Sequence, residues 1–434
     1  MSSYVLKEWD TLRYGSEADQ IPQDLADRLV ETTKASSLSG RSGNGVIEHH
    51  RHHLRARGVV GVVANKACSL EILPKIDTQA SGDERVRNGE IRKRLVSMLS
   101  VALDLKIDLG RITDLSWQNQ TLLDILIRVF CDKLVDAVRH GMPRAYTNVE
   151  DDIAALRGRL NITKQFTTHA VNPSRLACSF DVLSADTELN RVMKATVRHL
   201  SKVSRSSGNQ RKLRELNFIY DEVDDKDARS LRWDAIILDR TNSRWRELLG
   251  FARMFLSNQY QTTSSGRGQG VSMLFEMNVL FEEYIGRMLR RAAIGTDYQV
   301  ALQGGRLFCL RDPTDGTQSF QTKPDIIIRR NGEIVHIIDT KWKRISSRVD
   351  DPKQGVSQSD VYQMMAYGHL YNSVRLTLLY PHHSGLGEVE GVQGKYKVTG
   401  HDMFLETVTI DIGNSADILE RLKAMIVCPS DLIN

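Results

Sequence analysis

Between Lys323 and Trp342 two apolar runs flank an Asn331-Gly332 pair, and each run turns polar at the end away from that pair. The first is entered through Pro324-Asp325 and continues as Ile326-Ile327-Ile328; the second runs from Ile334 to Ile338 and leaves through Asp339-Thr340-Lys341. Short β-branched runs around Asn-Gly predict two antiparallel strands, 323–329 and 334–342. Side chains alternate along a strand, so Asp339 and Lys341 share a face with Val335 and Ile337, and Thr340 points away. For Asp325 to face Asp339 the pairing must be symmetric about Gly332. That requires a three-residue loop, Asn331–Glu333, or a bulge; a two-residue Asn-Gly turn would instead put Asp325 on the opposite face and count against a catalytic pairing.

Two carboxylates and a lysine at the ends of adjacent strands suit metal-assisted phosphodiester hydrolysis. Attack by an anion on an anion needs a hard cation, and Mg²⁺ binds through one or two carboxylates while keeping several waters. An ammonium group beside it stabilises developing negative charge. The alternative is a surface hairpin whose Asp and Lys are solvated or paired across strands.

The flanking segments extend the pattern. On an expected helix over 273–291, Met277, Phe281, Tyr284 and Met288 mark the buried face, Glu282 lies at its border and Glu283 points to solvent. On a helix over 359–371, Gln363 and Tyr367 are one turn apart. A further strand is expected over 374–380. Strands alternating with helices predict an α/β domain with a mixed sheet over 271–434. Before it, 86–270 reads as mostly helical with short strands (helices over 186–202 and 246–256, strands near 144–149 and 157–163), and 1–85 as a small β-rich module with strands at 58–64 and 69–76. The Gly- and Ser-rich stretches 36–45 and 261–270 read as loops, and the polar stretch 77–89 as a separator.

The order Glu282, Pro324-Asp325, Asp339-x-Lys341, Gln363-x-x-x-Tyr367 resembles the PD-(D/E)xK nuclease superfamily. The segments LRGRL (156–160), CSFDVLSADTELNR (178–191), LFE (280–282), IDTKWK (338–343) and YQMMAY (362–367) resemble, in this order, the McrC family, the nuclease subunit of McrBC-type modification-dependent restriction systems. The likeness covers roughly 90–434, and LEILPKI (70–76) is similar to a segment of longer members. It implies a restriction-endonuclease-like core with Asp325, Asp339 and Lys341 catalytic, Asp325 and Asp339 holding Mg²⁺, and Glu282, Gln363 and Tyr367 accessory. It also implies a partner, a hexameric ring of McrB-like AAA+ GTPase subunits that binds the GTP, with double-stranded DNA as substrate. The region before the nuclease would project into that ring. Against short members of the family, this chain carries about 85 extra residues at the front.

Other features count for less. The 59 Lys and Arg against 54 Asp and Glu leave a net charge of +5, which permits nucleic-acid binding without arguing for it. Arg329, Arg330, Lys343 and Arg344 make the hairpin and its exit basic and are candidate DNA contacts, with a solvated face as the alternative. Trp342 is expected in the core of the opposite face, with base stacking as the alternative. His49, His50, His52 and His53 read as an exposed basic loop or strand, since adjacent histidines point to opposite sides and no shell completes a metal site. Gly266–Gly270 lacks the Lys-Ser/Thr of a phosphate-binding loop, so GTP is expected on another chain. Five scattered cysteines argue against a disulfide framework. With no run of ~18 apolar residues and no apolar leader, no membrane association and a cytoplasmic location are expected. A catalytically silent adaptor on an AAA+ ring, or a repair nuclease working with a helicase, are the rival readings.

Overall fold

The computed structural model describes residues 2–17, 19–34, 46–65, 67–78, 83–108, 110, 112–171, 174–240, 242–256, 270–346, 355–387, 389–414 and 417–426. The expected loops at 36–45 and 261–269 lie outside the described residues. Contacts divide the chain into two compact units, one of 1–122 with 261–434, the other of 123–260. The front module and the last part of the chain therefore share one unit.

In the first unit, the strands β1 (Ser2–Lys7), β2 (Val59–Asn65), β3 (Cys68–Leu73) and β4 (Gly270–Glu276) form a sheet in the order β1-β3-β2-β4. Its strands are short runs rich in Val, Ile and Leu. Helix α1 (Gln23–Lys34) covers them, burying Ala26 and Leu29 against Val63, Leu70 and Ile72. Helix α2 (Glu84–Ala102) follows, so the polar stretch 77–89 ends inside a helix. A buried ion pair, Arg92 Nη2 to Glu71 Oε2 at 2.7 Å, ties that helix to β3.

Residues 273–276, expected to open a helix, instead finish β4, and α3 (Met277–Ala292) starts only at Met277. The strand wins because β2 offers it a complete antiparallel partner, from Gly270 opposite Asn65 to Glu276 opposite Val59. Gly61 permits the approach. Its φ is +134°, and a Cβ there would lie 1.8 Å from the Met273 carbonyl oxygen. Gly61→Ala is therefore expected to destabilise the chain by about 3 kcal/mol or more, through a strained φ and a backbone clash. Denaturant unfolding measures this, and an unchanged midpoint would contradict the packing.

The C-terminal sheet has six strands: β5 (Tyr298–Leu302), β6 (Ile326–Arg330), β7 (Glu333–Thr340), β8 (Arg375–Pro381), β9 (Gly391–Lys397) and β10 (Phe404–Ile410), in the order β5-β6-β7-β8-β10-β9. Pairing is antiparallel from β5 to β7, parallel from β7 through β8 to β10, and antiparallel to β9. This is the expected mixed α/β sheet. Helix α4 (Gln358–Tyr371) lays Met364, Tyr367 and Tyr371 on Ile327, Ile337, Leu376 and Leu378, and ends where Asn372 adopts a left-handed φ of 51°.

The second unit holds helices Leu122–Arg139, Glu188–Val203, Ser207–Ile219 and Arg246–Leu256 around Phe130, Phe251 and Phe255. It also carries a three-stranded sheet of Ala145–Ile153, Leu176–Ser184 and Arg159–Leu160. Among the described residues, no helix is long and apolar enough to cross a membrane.

Candidate active site

The hairpin of β6 and β7 has both features that the sequence set against each other. Arg330 pairs with Glu333, so the turn is a tight two-residue Asn331-Gly332, with φ of 53° and 88°. A bulge then shifts the register between Ile328 and Arg329, and beyond it Ile328 faces His336 and Ile326 faces Ile338. One more step in that register sets Asp325 opposite Asp339. The extra residue undoes the flip that the tight turn imposes. It also moves the near end of β7: Ile334, rather than Val335, packs on the cluster containing Ile337. His336 turns to the other face and meets Thr377 Oγ1 at 2.7 Å.

Opposed residues of an antiparallel pair have Cβ atoms about 5 Å apart, close enough for one ion to touch both carboxylates. Asp339 is 1% exposed. Its Oδ2 lies 2.7 Å from Lys341 Nζ, yet receives no well-directed hydrogen bond. Asp325 Oδ2 accepts from Thr340 N at 2.8 Å and Thr340 Oγ1 at 2.9 Å. Thr340 thus does not simply point away; its hydroxyl orients Asp325. Burial first, and then the like charge of Glu282, raise the Asp325 carboxyl above its usual range; burial and then Asp325 do the same to Asp339. Burial opposes the Lys341 charge, but Asp339, followed by Asp360 and Asp325, holds its pKa above the ordinary value.

The accessory residues converge on the same place. Lys341 Nζ donates to Gln363 Oε1 at 3.3 Å, and Gln363 Nε2 donates to Tyr367 Oη at 2.7 Å. Glu282 Oε1 accepts from Gln303 Nε2 at 2.8 Å, while Gln303 N donates to the Asp325 carbonyl at 2.8 Å. That backbone bond closes the sheet edge beside Asp325. Burial raises the Tyr367 phenol above its ordinary range, against the lowering effect of the Gln363 bond, and the Asp339 and Asp325 charges add to the rise.

Three participants are not evident in the sequence: Thr340, Gln303 and Asp360. Gln303 has a left-handed φ of 49°. Asp360 lies 3.7 Å from Lys341 Nζ and also pairs with Lys343. Its position one turn before Gln363 on α4 is the signal that could have found it.

The expected DNA contacts are scattered. Arg329 and Arg330 sit by the turn, four and five residues along β6 from Asp325, hence about 13–17 Å away. Arg329 Nη1 donates to the Gly332 carbonyl, and the Arg330 guanidinium lies 5.3 Å from the Tyr298 ring. Lys343 is near the site but paired with Asp360, and Arg344 is paired with Asp77. Trp342 is only partly buried. Its ring meets Phe281 edge-on at 5.3 Å, and Nε1 donates to Glu8 Oε1 at 2.6 Å.

Among the described residues, no group of three or more His, Cys, Asp or Glu is arranged to hold a metal ion. Mg²⁺ does not need one, because waters and substrate oxygens complete its shell. The buried Asp339 Oδ2, lacking a directed donor, and the facing Asp325 make a donor set that fits such a hard cation.

A mixed sheet with Pro-Asp and Asp-x-Lys at adjacent strand ends, served by a Gln-x-x-x-Tyr helix, defines a PD-(D/E)xK-type domain. The sequence profile described as "McrBC 5-methylcytosine restriction system component" matches residues 54–381, and the chain belongs to that family. It is 24% identical over 313 residues to the Type IV methyl-directed restriction enzyme EcoKMcrBC of Escherichia coli (strain K12), an alignment covering 67% of this chain and 84% of that protein. Its fold is similar to a chain from the assembly of Thermococcus gammatolerans McrB AAA+ hexamers with bound McrC. There the TM-score is 0.73 at 20% identity, covering 99% of this chain and 100% of that one. A chain of the Thermococcus gammatolerans McrBC complex gives a TM-score of 0.51 at 24% identity, covering 67% of this chain and 88% of that one.

Proposed function

We propose that this chain is the Mg²⁺-dependent DNA endonuclease subunit of a GTP-driven, modification-dependent restriction complex. The observation that carries this reading is the convergence of Asp325, Asp339 and Lys341 at the ends of two paired strands, with the bulge setting the two carboxylates face to face. Asp325 and Asp339 would hold the cation, which when bound offsets phosphate charge and favours deprotonation of water. Thr340 fixes one carboxylate by two hydrogen bonds. Lys341 stays charged and places its ammonium beside Asp339, where it orients the attacking water and stabilises charge developing on the phosphate. Gln363 and Tyr367 hold that ammonium on the sheet face. Glu282 adds a third negative charge near Asp325 and strengthens cation binding. Lys343 is the basic residue best placed to meet a phosphate next to the site.

The likeness to chains from McrB–McrC assemblies supports a hexameric AAA+ GTPase ring as partner, with GTP bound by the ring. Exposed Tyr146, Leu156 and Phe166 on the second unit suit docking there, since large apolar side chains in water favour a protein contact. The reading is tested with purified chain, partner ring, GTP and methylated duplex DNA, with and without Mg²⁺. Cleavage is expected only with Mg²⁺ present. Cation-independent cleavage, or binding and GTP hydrolysis without any cut, would contradict it.

A further inference from the structure

We propose that the front module is a brace that positions the catalytic segment, and that Glu8 is its positioning residue. The inference rests on the nuclease reading above and gives the front module a task within it. Three independent contacts point to the same place.

The first is Glu8. It follows β1, is 1% exposed, and points its carboxylate at the residue after the catalytic lysine. Glu8 Oε1 accepts from the backbone N of Lys75 at 3.0 Å and from Trp342 Nε1 at 2.6 Å, while Oε2 has no hydrogen-bond partner among the described residues. A buried carboxylate is costly to maintain, so its presence at a surface between modules calls for a reason beyond packing. The Trp342 ring also meets Phe281 edge-on. These two ring residues are the chain neighbours of Lys341 and Glu282. A single chain of contacts, Glu8 to Trp342 to Phe281, therefore reaches the backbone of both.

The second contact lies just downstream. Asp77 pairs with Arg344, which also donates to the Lys75 carbonyl at 3.3 Å. Asp77 Oδ2 accepts from Ser384 N and Ser384 Oγ, both at 2.8 Å. The Ile345 carbonyl accepts from His383 Nε2 at 2.9 Å. The exit from β7 is thus gripped by the front module and by the turn after β8.

The third contact is the sheet itself. β4 completes the front sheet against β2, and the backbone N of Met277, the first residue of α3, donates to the Gly58 carbonyl at 2.9 Å. The helix that carries Glu282 starts directly on the front module. Both the lysine and the accessory glutamate are registered against one support. Angstrom-scale misplacement of a catalytic group costs orders of magnitude in rate, so such a support has a purpose.

The test uses the full chain with its partner ring, GTP, Mg²⁺ and methylated duplex DNA, with Glu8→Ala, Glu8→Gln, Trp342→Phe and the Glu8→Ala/Trp342→Phe double variant. Glu8→Ala is expected to lower kcat for cleavage at least ~10-fold, with KM for DNA and stimulation of GTP hydrolysis unchanged. Glu8→Gln should recover to within about 3-fold of the parent, because the amide oxygen still accepts from Trp342 and Lys75. Trp342→Phe should match Glu8→Ala, and the double variant should be no worse than either, as expected for one shared contact. Hydrogen exchange supplies a readout independent of cutting. Glu8→Ala should speed exchange over 338–346 while leaving 404–410 unchanged, and Glu8→Gln should not. Parent-like cleavage and exchange in Glu8→Ala would overturn the brace, as would equal losses in cleavage and GTPase stimulation. If the parent chain itself never cuts, the nuclease reading fails, and the exchange comparison still decides the brace.

Discussion

Asp339→Asn and Lys341→Ala are each expected to reduce DNA cleavage by about 10²- to 10³-fold, while the chain still assembles with the proposed ring and stimulates its GTP hydrolysis. Asp339 is buried and faces Asp325, so its replacement would remove one of the two proposed anionic ligands and leave a neutral amide that binds Mg²⁺ weakly. Lys341 supplies positive charge at a site otherwise lined by Asp325, Asp339, Asp360 and Glu282. Its loss leaves the phosphate with less stabilisation where charge develops, in a setting where removing one such group costs about 10²- to 10³-fold. The measurement is cleavage of methylated duplex beside GTP turnover, in the same assembled complex. Loss of assembly in either variant would mark the residue as structural.

A second change is expected in how stability follows pH. In the metal-free chain Asp325 and Asp339 are held up to about 6, by burial first and then by neighbouring negative charge. An unfolded aspartate titrates near about 3.9. A folded-state value above the unfolded one means that the folded chain keeps protons that the unfolded chain has released. The resulting stabilisation is full below about pH 4 and is lost as pH rises through about 6. At about pH 7.5 the pair therefore costs the metal-free fold on the order of 1–3 kcal/mol, less than the sum of two separate shifts because the two titrate together. A Mg²⁺ ion held by the two carboxylates would offset that repulsion. Between about pH 5 and 7.5 the melting temperature of the parent chain should fall by roughly 2–5 °C more than that of Asp339→Asn, and added Mg²⁺ should recover it in the parent only. Thermal unfolding of both proteins across that range checks this. Parallel profiles with no response to Mg²⁺ would mean that the two carboxylates do not repel each other.

Much of the site was legible because its chemistry is local. Pro324-Asp325 and Asp339-Thr340-Lys341 close two apolar runs, and Gln363 and Tyr367 share a helix face by spacing alone. Glu282 was legible as a border position on α3, whose buried face is the one expected: Met277, Phe281, Tyr284 and Met288 are all buried. Less local features were not. Strand alternation turns Thr340 away, yet its backbone N–H and hydroxyl both reach Asp325, at the strand end where pairing to β6 has stopped. Gln303 comes from a segment with no motif, and Asp360 sits one turn before Gln363 on α4 without belonging to the Gln-x-x-x-Tyr pattern. Arg329 and Arg330 are near the carboxylates in residue number and a strand's length from them in space.

Residue order alone settles the alternation of strands and helices and the residue types at the strand ends. It also shows that facing aspartates need a three-residue loop or a bulge, and it sets a tight Asn-Gly turn against them; the structure has the tight turn and the bulge together. How that conflict resolves depends on long-range pairing. Backbone pairing on both sides of β7 places the extra residue in the ladder near Ile334, because the buried Ile337 and Ile338 pin the far half of the strand to its neighbours while the turn pins the near half. The same kind of non-local pairing turned 273–276 from helix into strand, since a free edge on β2 satisfies more backbone groups than one further turn of α3 would.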